Sequence, residues 1–443
     1  MKYLFMDEKG PQNSFKITKP FDKVNKLAYA DDDMHSYVAN VIQVKETDYP
    51  LIEQEYSKIV DDYLLNRKQL HQSLQKKNRE LKGLDLLKKH FHYGIASMKD
   101  DEVQFYLSLF KMLNRYDVDN LLFMISKMSI ITSARLTNFF YFLDEGTEFS
   151  PFIAKYVLTK YAEIEASKKV IEGLLDTSLP VRPLLKLIKE DMRRIIKSNH
   201  DNLRMQQQLE IYAQLIQAIN VVIENHKIKI EEPPLGLNFD WSKVKWAFDL
   251  WITEQIVLKQ DTKMTLFLDE GIPRNTFKGL DFENVVENCN SRDYIGLQIT
   301  DMIVVLVGKL VSQITSNTRY DFNKPDQRVL LDEKYFDLNQ QQYNLIVELN
   351  KFLLDKETNY HFVNDAYFDE TLAFQNYIGY VASFDDFEQY HKVTLSEHVE
   401  WYCQNIIKFA QKKYEEGVAN ILHAKSLYGS LKKSIEIGQS RPL

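Results

Sequence analysis

The sequence has only two cysteines, Cys289 and Cys403, which stand far apart and in no metal-ligand spacing. This scarcity argues against a disulfide-rich scaffold and a zinc finger, and favours a reducing cytoplasm. The longest apolar run, Met302 to Gly308, is too short for a bilayer that needs about 20 residues. Acidic residues at positions 7 and 8 follow the first apolar residues too soon for a signal peptide. We therefore expect a soluble cytoplasmic protein with no membrane partner.

The sequence also lacks the short motifs of several enzyme classes. It contains no Gly-rich phosphate-binding loop, no dinucleotide-binding GxGxxG and no HExxH zinc motif. Nucleotide cradling and zinc hydrolysis therefore have no support. What is present is an ordinary globular composition, with 44% hydrophobic and 27% charged residues in 443. A chain of this length predicts two or three lobes.

Positive charge is scarce overall but concentrated in one segment. The formal net charge of −7 argues against a protein coated in basic residues. Residues 66–92 nevertheless hold eight Lys or Arg against two acids. Such a run is able to follow a phosphate backbone through Coulomb attraction and counterion release, and we expect Lys76, Lys77 and Arg79 to face outward toward RNA or DNA. A solvated helix face explains the same run equally well.

The apolar pattern predicts strands separated by helices. Proline at position 50 and a helical apolar stripe predict a helix after residue 48. From position 295, apolar residues at helical spacing predict another helix. Short apolar or β-branched runs predict strands at Tyr3–Met6, Phe15–Ile17, Tyr37–Val44, Leu121–Ile125 and Thr265–Leu268.

This order of elements predicts an α/β fold. Residues 1–316 form the expected core, with a large helical insertion at about 133–260. Residues 317–443 form a mostly helical C-terminal region, entered through a linker at 317–326 and offering a surface for a protein partner.

Acidic side chains accompany the apolar elements. Asp7 ends the first predicted strand, Asp269 ends a later one, and Asp301 lies inside the apolar helix. Glu80 and Lys82 occur in the basic segment. Buried carboxylates are costly unless they are paired or bind a metal, and hard cations such as Mg²⁺ or Mn²⁺ prefer oxygen ligands. Taken singly, each acid also has a structural explanation: a turn cap, a loop acid or a buried ion pair.

Four short segments resemble one known family. The opening YLFMDEKG, the internal RELKG, the later TLFLDEG and the closing NSRDYIGLQITDMI follow one another in the order of its motifs. The family is the bacterial RNase H-like family called domain of unknown function thirty-eight-hundred, and the resemblance spans about residues 1–315. Lys9 replaces the usual Ser of the family, and Thr300 its usual Ala. A cation at position 9 is expected to lower the pKa of Asp7.

The resemblance implies an RNase H-like mixed sheet and a divalent-metal nuclease. Asp7, Glu80, Asp269 and Asp301 would bind the metals. Lys82 would steady a phosphate or the attacking water. Gln298 would orient Asp301, and Glu8 would lie beside the four metal-binding acids.

The function expected on these grounds is hydrolysis of RNA or DNA, with a role as effector in prokaryotic anti-phage defence. Two alternatives stay open at this point. One is a non-catalytic RNase H-like scaffold that acts through its helical additions, and the other is a toxin-like subunit silenced by an antitoxin.

Overall fold

The fold is described from a computed structural model of the chain. It describes residues 1–9, 15–21, 26–28, 34, 36–65, 67–87, 91–147, 149–230, 245, 248–249, 251–252, 263–280, 282–320, 329–354, 362–364 and 370–437.

Within these residues, six strands form one mixed sheet: β1 Lys2–Lys9, β4 Ser36–Lys45, β5 Asp119–Ser126, β6 Met264–Asp269, β7 Asn284–Cys289 and β10 Phe362–Asn364. Their order in the sheet is β10-β5-β4-β1-β6-β7. Strand β1 pairs antiparallel with β4 and parallel with β6; β4 and β5 are antiparallel, whereas β5–β10 and β6–β7 are parallel. Two short ribbons pair β2 Lys16–Ile17 with β3 Leu27–Ala28, and β8 Arg319–Tyr320 with β9 Val329–Leu330.

Helices cover both faces of the sheet, which explains why its central strands are almost continuously apolar. Leu4 and Met6 of β1 pack into the hydrophobic core on one side, and Phe5 packs into the core on the other. The first core contains the helices of the insertion, which are Lys127–Gly146, Pro151–Lys160, Lys168–Leu175, Val181–Ser198 and Gln206–Glu224. The second core contains the helices Tyr49–Leu65, Lys68–Lys77, Gly83–Leu86, Asp100–Arg115 and Ile295–Asn317.

The helix Ile295–Asn317, called the core helix below, lies against β1 and β4. It is long and apolar enough to cross a membrane: an 18-residue stretch of its 23 residues has a mean hydropathy of 1.7, but 89% of that stretch is buried inside the protein. Such burial fits the core helix of a soluble protein. Gly296 allows its close approach to β1, because a Cβ at this position would lie 2.2 Å from the ring of Phe5.

The C-terminal region is joined to this core rather than set beside it. Strand β10 adds to the edge of the main sheet next to β5. Asn114 donates a hydrogen bond to a carboxylate oxygen of Glu348 at 2.7 Å, which ties the region to the helix Asp100–Arg115. Its helices are Gln340–Leu353, Glu370–Ala382, Phe387–Lys392, Leu395–Tyr428 and Leu431–Glu436.

The mixed α/β class expected from the sequence is confirmed. The four long apolar strands and the helix after residue 48 form where the pattern predicted them. The strand predicted at Phe15–Ile17 is shorter, at Lys16–Ile17. Strand β7 was not anticipated, because this partly exposed edge strand is polar, with the sequence NVVENC. Most of the predicted linker at 317–326 lies outside the described residues.

Candidate carboxylate site

Three aspartates come from three elements that meet at the carboxyl ends of strands β1 and β6, a region called the carboxylate edge below. Asp269 is the last residue of β6, and the parallel pairing of β1 with β6 brings Asp7 to the same edge. Strand β1 continues to Lys9, so Asp7 lies inside the strand and not at its end as predicted. Asp301 lies one turn and a half into the core helix that packs on β1. Asp7 and Asp301 are almost fully buried, at 6% and 5% exposure.

The electrostatics of Asp7 show that these side chains interact. Burial raises the pKa of Asp7 well above its usual value, and the negative charges of Asp301 and Asp269 raise it further. The Glu8 amide, which donates to Asp7 Oδ1 at 2.6 Å, and the Lys82 ammonium act in the opposite direction. The pKa of Asp7 is therefore raised on balance, because burial and the two neighbouring carboxylates outweigh the lysine.

The other two aspartates have raised pKa values for the same main reason. Burial raises the pKa of Asp269 above the opposing effects of the Glu270 amide and Lys82, and Asp269 shares a hydrogen bond with Asp7. Burial also raises the pKa of Asp301, against the effects of Lys82, the Gly83 amide and Lys9. Three carboxyl groups thus share a buried region in which full ionisation is unfavourable, because like charges repel one another.

Glu80 has the opposite character, because it is fully paired. The Lys82 ammonium lies 2.7 Å from Glu80 Oε1, and the Ser291 hydroxyl donates to the same oxygen at 2.7 Å. Arg292 lies 3.6 Å from Oε2. Burial alone would raise the pKa of Glu80, but the hydrogen bonds from Lys82 and Ser291 outweigh it and lower the pKa to about 2. Glu80 is therefore a charged carboxylate beside the aspartates.

Lys82 connects Glu80 with the three aspartates. Its ammonium donates to Ser291 Oγ at 2.9 Å as well as pairing with Glu80. Burial acts to lower the pKa of Lys82, but the negative charges of Asp301, Glu80 and Asp7 outweigh it and raise the pKa. Lys82 is thus a permanent cation that compensates part of the negative charge, and it is not available as a general base.

Two residues that hold this geometry were not singled out from the sequence. The Gly83 amide donates to Asp301 Oδ2 at 2.7 Å, and a Cβ on Gly83 would lie 2.7 Å from Cβ of Val305. Ser291 bridges Glu80 and Lys82. Both residues stand in quoted motifs, RELKG and NSRDYIGLQITDMI, so the motifs themselves were the available signal.

Gln298 has a different partner from the one expected. Its amide donates to the Ser291 carbonyl oxygen at 2.8 Å, so it holds the turn before the core helix. The expected contact with Asp301 is made by the Gly83 amide instead.

The described residues of the basic segment include both exposed and ion-paired side chains. Lys76 and Lys77 are exposed at the end of the helix Lys68–Lys77. Arg79 instead forms a bidentate ion pair with Asp85, with nitrogen–oxygen distances of 2.6 and 2.9 Å. The expectation that Arg79 reaches outward to a nucleic acid is therefore corrected, since its guanidinium is already used.

Two buried oxygens near the aspartates make no hydrogen bond with any described residue: Asn40 Oδ1 and Tyr56 Oη. Asn40 lies directly opposite Asp7 on β4, and the Tyr56 hydroxyl is close enough to Asp301 and Glu80 for their charges, after burial, to raise its pKa. Buried polar atoms without partners are rare and often mark the place of a water or an ion.

These observations test whether the residues suit a divalent cation. The donor set is made entirely of oxygen, which suits Mg²⁺ or Mn²⁺. In the described part of the chain, however, no three His, Cys, Asp or Glu side chains are grouped so that they hold a metal ion as they stand. The chemistry of the donors fits a hard cation, and in this arrangement Lys82 provides the compensating positive charge.

Comparison with protein-family models, with curated proteins and with solved structures gives no match to the chain.

Proposed function

We propose that the protein is a divalent-metal-dependent nuclease that hydrolyses phosphodiesters of RNA or DNA. The observation that carries the proposal is the meeting of Asp7, Asp269 and Asp301 in one region, where burial raises the pKa of each. Proteins rarely bury several carboxylates together without a use for their charge, and strongly perturbed acids cluster at functional sites.

The sheet supports an RNase H-like core for this nuclease. Three antiparallel strands, β5, β4 and β1, are extended beyond β1 by the parallel strands β6 and β7. The carboxyl end of parallel strands is also where open α/β sheets place their ligands. The four motifs of the resemblance surround this edge, which further supports the proposal.

In the proposed site, Asp7, Asp269 and Asp301 would hold Mg²⁺ or Mn²⁺. Glu80 would join them by leaving its ion pair with Lys82. The bound cation would supply Lewis-acid stabilisation of the phosphoryl oxygens and a water of lowered pKa. The chain's own contribution is to hold the three carboxylates in register and to exclude water around them. Lys82, as a permanent cation, would stabilise negative charge on a phosphate oxygen.

The proposed substrate would reach this edge along the exposed Lys76 and Lys77. Their ammonium groups offer sequence-independent attraction to a phosphate backbone. A cytoplasmic location and a role in anti-phage defence complete the proposal, and both come from the sequence and the family resemblance alone.

The test is a cleavage assay with the full chain on labelled single- and double-stranded RNA and DNA, in Mg²⁺, in Mn²⁺ and in EDTA. We expect metal-dependent cleavage that falls by orders of magnitude in Asp7→Asn, because metal catalysis supplies several kcal/mol and about 1.4 kcal/mol is tenfold in rate. The matched control is Asp62→Asn, which removes an exposed carboxylate from the helix Tyr49–Leu65.

The alternative is a non-catalytic scaffold, and one observation favours it. The Lys82–Glu80–Ser291 network already compensates charge at the site without a cation. If Asp7→Asn cleaves as well as the parent protein, or if neither cleaves in any metal, the scaffold becomes the better account.

A further inference from the structure

Asn40 is the polar residue placed most directly against the carboxylate site. It stands in β4 directly opposite Asp7 of β1, in the middle of a strand whose residues are otherwise largely apolar. Its side chain is fully buried, and its neighbours Val38 and Ile42 on the same strand face belong to the core that contains Phe5 and the core helix. In antiparallel strands, side chains directly opposite each other have Cβ atoms about 4.5–5.5 Å apart. Asn40 is thus a close neighbour of Asp7 on one face of the sheet.

Hydrogen bonds fix the orientation of the Asn40 amide. Its Nδ2 donates to the Leu121 carbonyl oxygen at 3.2 Å and to Asn120 Oδ1, both on β5. A backbone carbonyl only accepts hydrogen bonds, so the amide cannot be turned over without losing this contact. Because β5 and β1 lie on opposite sides of β4, an amide whose nitrogen is held by β5 directs its oxygen away from β5.

That oxygen, Asn40 Oδ1, is buried and accepts no hydrogen bond from any residue that the structure describes. A buried acceptor without a donor is unfavourable, and such groups in native proteins call for an explanation. The amide nitrogen is fully used and the oxygen is left free on the side of Asp7. This asymmetry is what a ligand-binding oxygen would show.

We propose that Asn40 Oδ1 is a further ligand of the divalent cation, beside Asp7. The inference rests on the proposed function, since it assigns another oxygen to the same site. Two short side chains with Cβ atoms about 5 Å apart can both reach one ion at a metal–oxygen distance of about 2.1 Å. Amide carbonyl oxygens are hard neutral ligands. A neutral ligand adds a donor without adding negative charge to a site that already contains three aspartates.

The experiment measures Mn²⁺ binding directly, so that it does not depend on cleavage. Free Mn²⁺ is followed by electron paramagnetic resonance during titration of the full chain and its variants in metal-free buffer. Asn40→Leu keeps a similar size and removes the oxygen, and we expect Mn²⁺ binding to weaken by about tenfold or more. The matched control is Asn120→Leu, which removes the hydrogen bond between the two asparagines but leaves Asn40 Oδ1 in place. We expect its Mn²⁺ affinity to fall less than that of Asn40→Leu, because the Leu121 carbonyl still holds the Asn40 amide in the same orientation.

Folding is checked by urea unfolding of each variant. If Asn40→Leu does not fold, the double variant Asn40→Leu/Asn120→Leu takes its place, because replacing both partners by apolar groups is better tolerated than replacing one. The double variant should show the same weakened Mn²⁺ binding.

Three results would overturn the inference, and they differ in what they say about the proposed function. Unchanged Mn²⁺ affinity in Asn40→Leu, with binding abolished in Asp7→Asn, removes Asn40 from the site and leaves the metal site standing. Equal weakening in Asn40→Leu and Asn120→Leu assigns the effect to their shared hydrogen bond. If the parent protein binds no Mn²⁺, the inference and the metal-dependent function fail together.

Discussion

The replacement Asp7→Asn separates a metal-binding aspartate from a structural one through stability alone. Asparagine keeps the size of the side chain and an oxygen to accept the Glu8 amide, while it removes the charge that faces Asp269 and Asp301. Because burial and those two carboxylates raise the pKa of Asp7, the folded state holds its ionised form at a cost in neutral buffer. The variant removes that cost.

The size of the effect follows from the linkage between pKa and stability. For each unit by which the pKa in the folded state exceeds the pKa in the unfolded state, the protein loses about 1.4 kcal/mol of stability at pH values above the folded-state pKa. A buried polar group with poor compensation typically costs about 1–3 kcal/mol. We therefore expect Asp7→Asn to gain about 1–3 kcal/mol in the free energy of unfolding at about pH 7.5 in EDTA. The sign is set by proton binding: the folded state binds more protons, so the parent protein loses stability as pH rises through the raised pKa.

Urea midpoints measured with EDTA and with Mg²⁺ provide the assay. A chain of this length shifts its melting temperature by only about 1–2 °C per kcal/mol, so denaturant unfolding is the better measurement. Mg²⁺ should reverse the order of stability, because a ligand at about 1,000 times its Kd adds about 4.1 kcal/mol to the parent protein and little to the variant. Asp62→Asn should follow the parent protein in both buffers. The reasoning is refuted if Asp7→Asn unfolds at lower urea in EDTA and Mg²⁺ stabilises both proteins alike.

Three further predictions concern packing, pH and charge. Gly83→Ala should lower the free energy of unfolding in urea by about 1–3 kcal/mol, since its Cβ would lie 2.7 Å from a neighbouring Cβ on the core helix. The control Gly379→Ala should be neutral or slightly stabilising, because its Cβ would meet nothing nearer than 3.8 Å. Burial lowers the pKa of His398 to about 4 against opposing contacts, so the unfolded state binds more protons, and hydrogen exchange of the helix Leu395–Tyr428 should lose protection as pH falls from about 6.5 toward 4. Protection that is constant over this range would contradict it. Replacing Lys76 and Lys77 together by Ala should flatten the salt dependence of nucleic-acid binding by about 0.7–0.9 log units per lost contact, for all base sequences alike; a loss confined to one sequence would argue against a backbone contact.

Much of the framework was predictable because burial leaves a direct mark on sequence. Strands β1, β4, β5 and β6 are covered on both faces, and each therefore reads as an apolar run. An acid at the end of such a run or inside an apolar helix is conspicuous, which is how Asp7, Asp269 and Asp301 were found. Strand β7 escaped notice because its partly exposed side chains are polar, so periodicity carried no signal there.

The partners within the site were not predictable in the same way. The pairing of Glu80 with Ser291 and of Asp301 with the Gly83 amide joins distant segments, and only the folded chain brings them together. Arg79 was expected in solvent because its neighbours are basic, whereas the nearby Asp85 captures it. Asn40 did leave a signal, since an asparagine within an apolar strand calls for a reason, but the signal is weaker than that of a charge.

The parallel pairing of β1 with β6 has a consequence for the order in which the molecule is assembled. Strand β1 and its antiparallel partner β4 are synthesised early, whereas β6 and the core helix follow only after the long helical insertion. Until then one edge of β1 has no partner, and an unpaired apolar edge is open to association with other chains. The carboxylate edge is likewise incomplete until most of the chain has left the ribosome. If the protein hydrolyses nucleic acid, this order of synthesis means that the unfinished chain cannot cleave the RNA around it.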